Sequence, residues 1–95
     1  MQFSLSATTK KAIDAALQSK WKEAVELNSQ ILEMYPENLD TKIRLGRAYI
    51  QIKKFSKARK LFKEVLKNDP INPIAKKNLD LAKAEKVEKG NGNGI

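Results

Sequence analysis

The stretch Lys42-Ile43-Arg44-Leu45-Gly46-Arg47-Ala48-Tyr49-Ile50-Gln51-Ile52, continued by Phe55, Ala58, Leu61, Phe62, Val65 and Leu66 and closed by Pro70, decides the fold. In its first half the apolar places are Ile43, Leu45, Ala48, Tyr49 and Ile52. In its second half they recur every three or four residues, the spacing of one face of an α-helix. Pro70 ends that second run, because proline lacks the N–H that a helix interior needs and clashes with the preceding turn.

Working outward, the same sequence returns at a distance of 34 residues. Leu5 falls on Leu39, Lys20 on Lys54, Ala24 on Ala58, Leu27 on Leu61, Leu32 on Leu66, Pro36 on Pro70 and Asn38 on Asn72. Trp21 lands on Phe55 and Ile31 on Val65. The agreement concentrates at apolar, small and turn positions, where a fold constrains the choice. A third, partial copy aligns Lys42, Leu45 and Ala48 with Lys76, Leu79 and Ala82. A fixed period of this length is the mark of a stacked helical repeat. Pro36, Pro70 and Pro73 punctuate the pattern, with Asn38, Asp69 and Asn72 as cap residues beside them. The spacing predicts five helices, near 7–19, 22–35, 38–53, 56–69 and 72–88. The Gly-Asn sequence at 90–95 has no periodicity and reads as a flexible tail.

The second copy resembles a tetratricopeptide repeat. It reads Lys42-x2-Leu45-Gly46-x2-Tyr49, then Ala58-x3-Phe62, then Pro70. Six of the seven family positions are kept, and Lys42 stands where the family has tryptophan. Gly46 and Ala58 are small, which lets two antiparallel helices approach, and Leu45, Tyr49 and Phe62 fill the seam. The first copy keeps Trp21, Ala24, Ile31 and Pro36, with Asn28 in place of the aromatic. Its leading apolar residues, Ala12, Ile13, Ala16 and Leu17, fall one place later than those of the second copy, as a turn one residue shorter near Ser19-Lys20 would produce. The third copy supplies a leading helix alone, with Asp80 at the glycine position.

The resemblance implies an all-α antiparallel helix-hairpin solenoid of about five helices. It would form one domain over 1–89, with repeats at 5–38 and 39–72 and a capping helix at 73–88. It also implies a non-catalytic scaffold that binds a peptide or helix of a partner protein in a concave groove lined by the leading helix of each repeat. Carried over by position, that groove would use Ile13, Leu17, Ile43, Arg44, Arg47, Ile50, Gln51, Ile74, Lys77 and Leu81. Its aliphatic and basic lining suits an amphipathic helix or a peptide with acidic flanks. Chaperone-binding members of the family grip a C-terminal carboxylate with Lys, Asn and Arg. The matching positions here are Thr9, Ile13, Arg44, Ile74 and Asn78, so that clamp is absent.

Composition bounds the alternatives. The chain has 95 residues, no cysteine and no histidine, which excludes disulfides and thiolate metal sites and removes the usual neutral-pH base. Carboxylates such as Asp14, Glu23 and Glu26 lie on ordinary helix surfaces. No catalytic, cofactor or metal constellation is expected. The N-terminal sequence does not read as a signal peptide and no apolar run is long enough to span a membrane, so a soluble, cytoplasmic protein is expected. The net charge of +8 is concentrated at 39–72. There Lys53, Lys57, Lys60, Lys63 and Lys67 recur at helical spacing as a basic face. A second reading makes this face a nucleic-acid footprint. It is the weaker one, because no exposed aromatics interleave with the lysines. A third makes the chain a homodimerisation module, with aliphatic residues such as Ile50, Ile71, Ile74 and Leu81 covered by a second copy.

Overall fold

The computed structural model describes residues 3–84. They form five α-helices: α1 (Leu5–Leu17), α2 (Trp21–Met34), α3 (Leu39–Gln51), α4 (Phe55–Asn68) and α5 (Pro73–Ala84). Consecutive helices pack on one another, and α3 also meets α5. The expected segment 85–88 and the tail at 90–95 lie outside the described residues.

The helices obey the 34-residue period at every start and at the ends of α1 to α4. α3 and α5 begin 34 and 68 residues after α1, and α4 begins 34 after α2. The starts of α1, α3 and α5 are set by side-chain caps at the same phase. The Ser4 hydroxyl accepts from the Ala7 N–H (3.2 Å), the Asn38 amide oxygen from Thr41 N–H (2.9 Å) and that of Asn72 from Ala75 N–H (2.8 Å). Each satisfies one of the N–H groups that the first helical turn leaves without a partner.

The two hairpin turns are also alike, which corrects the expectation of a shorter first turn. Ser19 and Lys53 both hold left-handed backbone, with φ of 60° and 65°. In the first turn Ser19 N–H donates to the Ala16 carbonyl and Lys20 N–H to that of Ala15. In the second, Lys53 donates to Ile50 and Lys54 to Tyr49. This pair of hydrogen bonds across a left-handed residue is the Schellman closure of a helix C-terminus. The displaced apolar residues of α1 therefore have another cause. The core positions of α1 carry the small Ala12 and Ala15, both buried, while the larger Ile13 and Leu17 sit on the open side, 40% and 79% exposed.

The core lies between the helices in two parts. One gathers Ile43, Ala58, Phe62, Val65, Ala75, Leu79 and Ala82, with Tyr49 and Leu66 packed against it. The other, around Ala15, Ala24 and Ala48, is built from alanines and is edged by Trp21, Val25 and Leu27. α3 is the central helix, and Thr41, Lys42, Ile43, Leu45, Gly46 and Ala48 are all buried on it. Lys42, at the family's tryptophan position, is 6% exposed, and its ammonium lies 3.3 Å from Glu64 and 3.8 Å from Glu37.

Candidate functional site: a trough along the leading helices

Two adjoining hollows run along α1, α3 and α5. The first, about 300 Å³, is lined by Ala12, Ile13, Ala16 and Leu17 of α1, Trp21 and Asn28 of α2, and Arg44, Arg47 and Gln51 of α3. The second, about 470 Å³, is lined by Arg47, Ile50 and Gln51 of α3 and by Pro73, Ile74, Lys77, Asn78 and Leu81 of α5. Arg47 and Gln51 belong to both and join them into one trough.

Nine of the ten residues that the sequence placed in a groove line this trough; Ile43 does not. It is 8% exposed and packs with Ala75 and Leu79 in the core. The physical reason is the central place of α3. Helices on three sides of it bury a wider arc than the stripe of an ordinary surface helix, and Ile43 falls inside that arc. Ala12, Ala16, Trp21, Asn28, Pro73 and Asn78 line the trough without being among those ten. For Trp21 and Asn28 a signal was available. Both lie on α2, at places equivalent to the buried Phe55 and Phe62 of α4, and Asn28 cannot fill the volume of a phenylalanine.

The trough is apolar with a cationic centre. Ile13, Leu17, Ile74 and Leu81 are each at least 40% exposed, unusual for large aliphatic side chains on four separate helical turns. Arg44 and Arg47 face the first hollow, Arg47 and Lys77 the second, and among the described residues no carboxylate lines either one. Arg44 is held in place. Its Nε donates to Asn28 Oδ1 (3.1 Å) and its Nη2 to Thr41 Oγ1 (2.9 Å). Burial lowers the Arg44 pKa from its ordinary value and the charge of Asp40 partly offsets this; the group remains a cation.

The lysine face lies elsewhere. Lys57, Lys60, Lys63 and Lys67 are exposed on α4. Lys53 is not on that helix; it occupies the left-handed turn before it. Lys57 rests over the Tyr49 ring, 5.6 Å from its centroid, and Lys60 edges the same shallow surface beside Glu64. Arg59, on the same helix, is drawn toward α5, where its Nη1 donates to the Ala82 carbonyl (3.1 Å).

Among the described residues no helix is long and apolar enough to cross a membrane, and no cluster of carboxylates could hold a metal ion. Five helices without a strand among those residues, stacked as repeating hairpins, define an α-helical repeat protein. The family profile described as Tetratricopeptide repeat matches residues 15–79, and the chain belongs to that family. A comparison with curated proteins gave no match. Tetratricopeptide repeats in general mediate protein–protein interactions and are as a rule non-catalytic modules.

Proposed function

We propose that this chain is a protein-interaction scaffold that takes a peptide or helix of its partner into the trough along α1, α3 and α5. The observation that carries the reading is the pairing of exposed aliphatic side chains, on that one surface, with cations that form no ion pair among the described residues. Ile13, Leu17, Ile74 and Leu81 offer apolar area whose burial contributes about 25 cal/mol per Å². Arg44, Arg47 and Lys77 add a positive field that favours acidic residues flanking the apolar anchors.

The test is selection of short random-sequence peptides by display on the intact chain, followed by binding measurements on the peptides recovered. Arg47→Glu and Lys77→Glu are expected to weaken binding by about tenfold or more each. Lys57→Glu and Lys60→Glu are expected to leave it within about twofold. The reverse pattern, or binding of RNA with a steep salt dependence lost in the Lys57 and Lys60 variants, would move the site to the lysine face.

A further inference from the structure

We infer that Asn28 is a specificity-determining residue: it keeps the first hollow open for one bulky apolar side chain of the partner and holds Arg44 beside it to receive an adjacent carboxylate. This rests on the trough reading above and names the kind of ligand that one part of it accepts.

The two repeats solve the same packing problem differently. In the second, Gly46 gives way to the Phe62 ring, which is fully buried. In the first, the equivalent positions are Ala12 and Asn28, likewise buried at 0% and 1%. Alanine supplies one methyl more than glycine, but asparagine lacks the aromatic ring. The neighbouring core positions Ala15, Ala24 and Ala48 are alanines too, and the groups beside Asn28 are Arg44, bonded to it, and Trp21. Over these positions lies the hollow of about 300 Å³, whose apolar wall is Ala12, Ile13, Ala16, Leu17 and Trp21. It has room for a leucine or aromatic side chain, and its lining is mostly apolar.

Asn28 does more than leave room. Its Nδ2 donates to the Ala24 carbonyl (2.9 Å), which fixes the amide, and its Oδ1 accepts from Arg44 Nε. Phenylalanine, the residue of the second repeat, would fill the hollow and remove that acceptor together. Arg44 is half-buried, with Nε and Nη2 engaged and, among the described residues, no carboxylate within ion-pair distance. A guanidinium desolvated in part, with Asp40 near but outside ion-pair distance, can be completed by a ligand carboxylate, to which its remaining N–H groups can donate. The occupant is therefore an acidic segment carrying one large apolar residue next to Asp or Glu.

The experiment uses peptides selected by display on the intact chain from a library with acidic flanks around a randomised core. Each is resynthesised with Leu, Phe or Ala at its apolar anchor, and binding is measured by fluorescence anisotropy. The wild-type chain is expected to prefer Leu or Phe over Ala by about ten- to a hundredfold. Asn28→Phe should collapse that preference to within about twofold. Ala16→Leu, on the half-buried opposite wall, should do the same by filling the hollow without touching the Asn28 hydrogen bonds, with circular dichroism confirming that each variant is folded. Peptides whose binding falls with Arg47→Glu and Lys77→Glu, yet whose anchor preference survives Ala16→Leu, would overturn the assignment of the hollow and leave the trough standing. Peptides indifferent to Arg47→Glu and Lys77→Glu, or a selection that recovers none, would overturn both.

Discussion

A Cβ atom placed on Gly46 would lie 2.6 Å from Cζ of Phe62 and within 3.0 Å of two more ring carbons. The ring is fully buried among Ala58, Val65, Ala75 and Leu79 and has nowhere to retreat. Gly46→Ala is therefore expected to lose about 1–3 kcal/mol, despite the better helix propensity of alanine, as overpacked cores do. Urea unfolding followed by circular dichroism measures it. Adding Phe62→Leu should cost less in the Gly46→Ala background than in the wild type, because the two residues compete for one space.

The caps offer a second check. Asn38 accepts from both the N–H and the hydroxyl of Thr41, at 2.9 Å each, and that hydroxyl in turn accepts from Arg44. Asn38→Ala should cost about 1–2 kcal/mol, the upper part of the range for lost N-caps. Ser4→Ala, at an exposed helix start with a longer bond of 3.2 Å, should cost about 0.5 kcal/mol. Equal losses in the two variants would show that the Thr41–Arg44 extension contributes nothing.

Ser19 and Lys53 occupy backbone that residues with a side chain adopt at some cost. Glycine is the usual occupant of that place in a Schellman closure. Ser19→Gly and Lys53→Gly are each expected to raise the unfolding free energy by several tenths to about 1 kcal/mol, since relief of strain outweighs the added freedom of the unfolded chain. A fall in the denaturation midpoint of either variant would contradict this.

The helical order was legible because it is written twice. Leu5 with Leu39, and Asn38 with Asn72, mark the same phase that the helix starts keep. The first repeat was harder to read. Its displaced apolar residues look like a missing residue in the turn, whereas the turns are identical and the apolar stripe has rotated toward the trough. That rotation is visible only when Ala12 with Asn28 is set against Gly46 with Phe62 as a paired exchange of sizes. Ile43 and Lys42 were illegible for a different reason. Their burial is set by α4 and α5, through Phe62, Glu64, Ala75 and Leu79; the apolar stripe holds Ile43 and the family position of Lys42 is a tryptophan, but the local sequence of α3 does not name those neighbours.

Lys42 supplies the last test. Its side chain is 8% exposed, its closer partner Glu64 is 39% exposed and Glu37 is 84% exposed. A buried ammonium needs its counter-ion more than an exposed carboxylate needs its cation, so the loss of stability should follow the burial of what is left behind. Glu64→Ala should cost about 1 kcal/mol, because it leaves the buried Lys42 with only the longer contact to Glu37. Glu37→Ala should cost less than about 0.5 kcal/mol, as exposed pairs do. Lys42→Met, which keeps an unbranched side chain one atom shorter and removes the charge, should be neutral or stabilising, in keeping with the hydrophobic residue that the family places there. Thermal unfolding of the three variants at one ionic strength decides the matter. A large loss in Lys42→Met would mean that the ion pair holds α3 against α4 in a way that hydrophobic packing cannot replace.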